Sequence, residues 1–129
     1  MATFVSATGI GVSDLAASEK FYSEILGMDS LQNIKASNMD EIVMGYKGTR
    51  SAAVVLMHFT DGSNPNYTDL PIKLVFMVED CAGILEKAAA DGYTVVAEPK
   101  NYPSMGDMMI GFAKDPDGYL IELMQKPAK

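Results

Sequence analysis

The feature that most constrains the fold is a pattern that occurs twice. Phe4 to Val12 alternates as a strand and runs into Ser13-Asp14, and Ile72 to Val78 alternates likewise and runs into Glu79-Asp80. In each half the aspartate carries the side chain that caps a helix. The first helix is expected from Ser13-Asp14 to about Leu26, with Phe21, Tyr22, Ile25 and Leu26 as its apolar stripe. The second is expected from Cys81 to Asp91, with Ile84, Leu85 and Ala88 facing inward. Gly27 and Gly92 end them at nearly the same offset. Three strands follow each helix. In the first half they are a strand-and-loop stretch over Met28 to Asn38, then Glu41 to Tyr46 and Ala52 to Phe59 around a Lys47-Gly48-Thr49-Arg50 turn. In the second half they are Tyr93 to Val96, Met108 to Ala113 and a last strand from Tyr119. The turn-rich stretch Asp61-Gly62-Ser63-Asn64-Pro65-Asn66 separates the halves. The expected class is α+β: two βαβββ modules, about 1–62 and 70–127, in one domain, with a linker over about 61–70. Mixed sheets from two such modules can enclose a cavity with the helices outside.

The last strand carries the residue that calls for explanation. Asp115-Pro116-Asp117-Gly118 has the residues a type I turn prefers, and the chain beyond it alternates faces. Leu120, Glu122 and Met124 share one face, and Tyr119, Ile121 and Leu123 the other. A glutamate between leucine and methionine is either at a strand edge in water or in a cavity with a partner, because an unpaired buried carboxylate is costly. In the strand that opens the second half, Lys73, Val75 and Met77 share a face. Lys73 there is either a strand-start lysine reaching water or a partner for Glu122. The opening strand of the first half presents Ala7, Gly9 and Gly11 on one face, which leaves room for a ligand or for a close backbone.

Composition narrows the partners. A net charge of −7 with no basic stripe disfavours nucleic acid and anionic membrane, and no apolar run approaches the length of a bilayer. The single cysteine, Cys81, cannot form an internal disulfide and fits a cytoplasmic location. Ten methionines and no tryptophan suit an adaptable apolar interior or pocket, and a small molecule is the expected partner.

Val12-Ser13-Asp14-Leu15, Phe21-Tyr22 and Leu26-Gly27-Met28, together with Asp115-Pro116-Asp117-Gly118-Tyr119 and Ile121-Glu122-Leu123, resemble the vicinal oxygen chelate superfamily. That superfamily includes glyoxalase I, bleomycin-resistance proteins and extradiol dioxygenases, and the spacing here is most similar to glyoxalase I. The resemblance covers essentially the whole chain in the same βαβββ order. It implies metal-ligand positions at Ala7, about Leu56, Lys73 and Glu122. Only Glu122 among these can bind a divalent cation, so no metal cofactor is expected. The alternative is a metal at Glu122 with His58, which follows Leu56 on the same strand face. Glu41 is expected to be solvated at a strand start. The resemblance also implies a homodimer, with Ala7 and Leu56 of one chain facing Lys73 and Glu122 of the other.

Three functions remain in view. The first is a metal-independent isomerase, epimerase or lyase on a carbonyl compound, in which Glu122 moves a proton and Lys73 stabilises the enolate. Ala7, Gly9, Gly11, Leu56, His58, Val75, Met77, Leu120 and Met124 would line its pocket. The second is a binding protein of the bleomycin-resistance type that sequesters an amphipathic small molecule. The third is a metal-dependent lyase or dioxygenase with displaced ligands.

Overall fold

In the computed structural model, which describes residues 2–128, the chain divides into two compact units, Met1–Tyr67 and Thr68–Lys129. Each unit has the same order of elements. The first contains β1 (Ala7–Gly11), α1 (Leu15–Glu24), β2 (Asp29–Lys35), β3 (Met39–Gly45) and β4 (Ala53–Phe59). The second contains β5 (Lys73–Met77), α2 (Cys81–Ala90), β6 (Val95–Tyr102), β7 (Met108–Lys114) and β8 (Leu120–Gln125), with a 3-10 turn at Pro103–Met105. The sheets run β1-β4-β3-β2 and β5-β8-β7-β6. In each, the first strand pairs in parallel with the last and the remaining pairs are antiparallel.

The repeat extends to single hydrogen bonds. Asp14 accepts from the Ala17 amide at 3.1 Å and Asp80 from the Gly83 amide at 3.0 Å, so the two helices start with the same cap. The Val12 amide donates to the Met57 carbonyl and the Val78 amide to the Met124 carbonyl, both at 2.8 Å. Gly27 and Gly92 have φ of +68° and +90°, conformations that L side chains rarely adopt. The first helix stops at Glu24, two residues short of the expected Leu26, and Ile25 serves as its C-cap.

Each helix covers one face of its own sheet. In the first unit Ile10, Val12, Ile42, Met44, Val54 and Leu56 are buried on the side of Phe21 and Tyr22 of α1, whose rings meet edge to face. In the second, Ile121 and Leu123 are buried on the side of Cys81, Leu85 and Ala88 of α2. A methyl group on Gly111 would collide with Leu85 and Cys81, so α2 packs close over β7. The other face of each sheet is left uncovered by its helix, and that of the second sheet carries the candidate site.

β6 is longer than the Tyr93 to Val96 expected from sequence. It continues through Pro99 to Tyr102, with irregular pairing between Val95 and Lys100. It is an edge strand, where a proline's missing N–H costs no ladder bond.

Candidate functional site

The open face of the second sheet is built in rows by its register. Lys73 of β5 lies beside Leu120 of β8, which lies beside Lys114 of β7. The next row is Val75, Glu122 and Phe112, and the one after it Met77, Met124 and Ile110. The six residues of β5 and β8 assigned to one face by alternation therefore share it: Lys73, Val75, Met77, Leu120, Glu122 and Met124. The Lys73 Nζ stands 2.9 Å from Glu122 Oε1.

The two partners differ in their access to water. The Glu122 side chain is 10% exposed and that of Lys73 51% exposed. The carboxylate is fixed among Val75, Phe112 and its strand neighbours, while the ammonium reaches it from the rim. No other hydrogen bond reaches Glu122 among the described residues, so the ammonium is the group that compensates its burial. A carboxylate held by one oxygen has a second oxygen available to accept a proton. A nearby ammonium can meet negative charge as it develops on a bound molecule.

The first sheet has the same frame with different contents. Its register aligns Ala7 with Ala53, Gly9 with Val55 and Gly11 with Met57. Ala7 occupies the place that Lys73 has in the second sheet, and Val55 the place of Glu122. The expectation at Leu56 is corrected by one residue. Leu56 is fully buried on the helix side, paired with Ile10 and Ile42, and Val55 faces the open side. The run Ala52-Ala53-Val54-Val55-Leu56-Met57 is apolar on both faces, so alternation alone does not reveal which set is the core.

Gly9 and Gly11 do leave room, and side chains of the same unit use it. A methyl on Gly9 would touch the Met57 sulfur, and one on Gly11 the Tyr67 ring. Glu41 lies within β3 rather than at a solvated strand start; it is half-buried and paired with Met57. A cavity of about 720 Å³ opens at one end of this region, lined in part by Phe4, Val5, Leu31, Val43 and Arg50.

His58 does not line the open face. By alternation it shares the side of Leu56, and its Nδ1 donates to the Val12 carbonyl at 2.9 Å, since a carbonyl can only accept. Its ring stacks on Tyr67 with centroids 5.8 Å apart. The histidine fastens the end of β1 to β4.

Neither open face offers a divalent metal a ligand set. The second sheet supplies one carboxylate, Glu122, beside the repelling cation of Lys73, and Ala7 and Val55 at the matching positions of the first sheet supply no donor. Among the described residues no three of His, Cys, Asp and Glu are grouped so as to hold a metal ion.

Two residues on this face, Phe112 and Lys114, were not assigned from sequence. Alternation through Met108 to Ala113 would have placed Phe112 opposite the core, but only the pairing with β8 sets it beside Glu122.

Two βαβββ modules, each with a helix over one face of its sheet and the other face uncovered, define a recognisable class of fold. The chain belongs to the Glyoxalase/Bleomycin resistance protein/Dioxygenase superfamily, whose family model matches residues 4–123. It is 33% identical over 129 residues to a Synechocystis protein named probable lactoylglutathione lyase, with 98% of each chain covered. The trypanothione-dependent glyoxalase I of Leishmania major superimposes with a TM-score of 0.79 at 25% identity, covering 97% of this chain and 88% of that one. TnmS3, an antibiotic-binding protein from a Streptomyces species, superimposes with a TM-score of 0.77 at 24% identity and 98% coverage of both, a likeness of fold.

Proposed function

We propose that the chain is a metal-independent proton-transfer enzyme, an isomerase, epimerase or lyase, acting on a small carbonyl compound. The observation that carries this reading is the Glu122 carboxylate, nearly buried on the open face and compensated by Lys73 at 2.9 Å. Glu122 takes a proton from the carbon next to the carbonyl, and Lys73 faces the oxygen on which the negative charge collects. The lysine thus supplies, at a corresponding strand position, the positive charge that a metal would supply in a metal-dependent relative. The relative named probable lactoylglutathione lyase supports the lyase among these reactions.

The test is exchange of acidic C–H protons for deuterium, followed by proton NMR over a panel of small carbonyl compounds. Wild type is expected to catalyse exchange, and Glu122→Gln to lose about 10²–10⁴ of the rate while still binding the compound. Equal rates for the two proteins on every compound that binds would overturn the proposal.

A second reading, a protein that only binds, is favoured by one observation. The open face of the first sheet carries Met57 and its unit holds the 720 Å³ cavity, and the open face of the second sheet carries Met77 and Met124. A binding protein would show ligand-dependent stabilisation with no exchange to lose.

We also propose that the working protein is a cytoplasmic homodimer. Val75 and Met77 of edge strand β5 remain 50% and 55% exposed, which supports an apolar partner surface. The lone thiol, Cys81, is buried and suits a reducing compartment. No helix of the described residues is long and apolar enough to cross a membrane. A monomeric mass by light scattering at micromolar concentration would refute the dimer.

A further inference from the structure

Two lysines flank one leucine on the open face of the second sheet, in a chain whose net charge is −7. Lys73 and Lys114 stand on the strands either side of Leu120, so their Cα atoms are about 10 Å apart, a distance two extended lysine side chains can close above the leucine. A cavity of about 320 Å³ opens there, lined by both lysines, Leu120, Gly118, Pro71 and Asp69 among others.

Neither ammonium is saturated by its present partner. Lys73 holds Glu122 through one contact and remains half in water. Lys114 lies 3.8 Å from Asp69, with side chains 43% and 65% exposed, a loose surface pair of little energetic weight. Asp69 is itself held in an unusual place. Its φ is +51°, its amide donates to the Asp117 carbonyl at 2.9 Å, and its carboxylate lies where a side chain on Gly118 would have to go. Aspartate adopts this conformation more readily than most residues, and the turn holds its carboxylate beside Gly118.

We infer that Lys73 and Lys114 form an anion subsite over Leu120, and that the substrate of the proposed reaction is a small carbonyl compound bearing a carboxylate. This deepens the proposed function and rests on that reading of the open face. Leu120 and Glu122 are two residues apart on one strand, about 7 Å. A carboxylate over Leu120 therefore leaves a carbon two or three bonds away within reach of the Glu122 side chain. In the free protein Asp69 occupies Lys114 weakly and is displaced by the incoming anion.

The experiment measures binding without turnover, so it stands whether or not Glu122 proves catalytic. Pyruvate, inorganic phosphate and the uncharged methyl pyruvate are titrated into the full-length protein, with the Gly118 and Leu120 amides followed by NMR. Pyruvate is expected to shift both amides. Lys114→Met is expected to weaken pyruvate binding about tenfold while Lys114→Arg restores it, with methyl pyruvate indifferent to both. Asp69→Asn, a residue that tolerates positive φ, is expected to tighten pyruvate binding by freeing Lys114. Glu122→Gln is expected to tighten it as well by freeing Lys73. Phosphate binding tighter than pyruvate would overturn the carboxylate assignment. Equal pyruvate affinity in wild type, Lys114→Met and Asp69→Asn would overturn the subsite. A loss of exchange activity in Glu122→Gln with tighter pyruvate binding supports both proposals, and unchanged exchange with tighter binding removes only the reaction.

Discussion

The two halves of this molecule are the same framework with different contents. Cap, glycine stop, strand order and the parallel closing pair recur in both, yet where the second half sets Lys73 against Glu122 the first sets Ala7 against Val55. The contrast continues on the helix side. Leu123 of the second sheet is paired with Gly111, under a close helix carrying Leu85 and Cys81, whereas Leu56 of the first is paired with Ile42. The framework is specified by a few capping and turn residues that both halves keep. The faces are free to diverge because alternation gives each strand two independent sets of side chains.

The contrast can be broken most severely by writing the second half's charge into the first. Val55→Glu places a carboxylate on a half-buried face with no cation at the neighbouring strand position, and is expected to cost about 2–3 kcal/mol in urea unfolding. Adding Ala7→Lys should recover about 1 kcal/mol, because a rim lysine pays back little more than a surface pair. A cycle with no recovery would mean that register alone does not build the pair.

Gly111→Ala sharpens the helix-side difference. Its new methyl would overlap Leu85 and press on Cys81 and the Ala97 carbonyl, for an expected loss of about 1–3 kcal/mol. Unchanged stability in that variant would show that α2 can shift to accommodate the methyl.

Alkaline pH separates the halves by chemistry. In the second, burial pushes the Cys81 thiol up, with the Asp80 and Glu98 charges adding to it against an opposing hydrogen bond from the Gly111 backbone. In the first, burial and then the Asp29 charge raise the Tyr46 phenol, which donates to the Leu26 carbonyl at 2.6 Å. Both folded values lie above the unfolded ones, so the folded state holds these protons more tightly. Their stabilisation is complete below the unfolded values of about 8.5 and about 10 and is lost as pH rises through the folded ones. Urea unfolding from pH 8 upward should show a decline that starts with the thiol, and Cys81→Ala should remove its first stage. A flat profile to pH 10.5 would contradict both shifts.

At the pair itself stability and activity fall together. Lys73→Met leaves the nearly buried Glu122 carboxylate without its cation, for an expected loss of about 1–2 kcal/mol, the lower side of the range because the ammonium is half in water, while exchange activity falls with the lost cation. A large loss of stability with activity intact would make the pair structural.

Much of this was legible in the sequence. Asp14 and Asp80 cap, Gly27 and Gly92 take positive φ, and Lys73 and Glu122 share a face, because caps, glycines and alternation act over a few residues. What was not legible depends on pairing between distant strands. Nothing local tells Val55 from Leu56 as the open-face residue when both sides of β4 are apolar. His58 has the chemistry of a ligand, and only the nearby Val12 carbonyl shows that it serves as a fastening. Pro99 reads as a stop, yet an edge strand accommodates it. Lys114 gains meaning only once β7 is laid beside β8.

The strand edges of the two sheets are defended unequally. β6 carries Pro99 and irregular pairing, and β2 has a bulge near Leu31, features that deter another strand from adding on. β1 and β5 have neither: one is short and glycine-rich, the other shows Val75 and Met77 to water. At high concentration, during overexpression or late in refolding, these two margins are where a stray β-strand would dock. By this rule Ala7–Gly11 and Lys73–Met77 are the margins least guarded against an added strand.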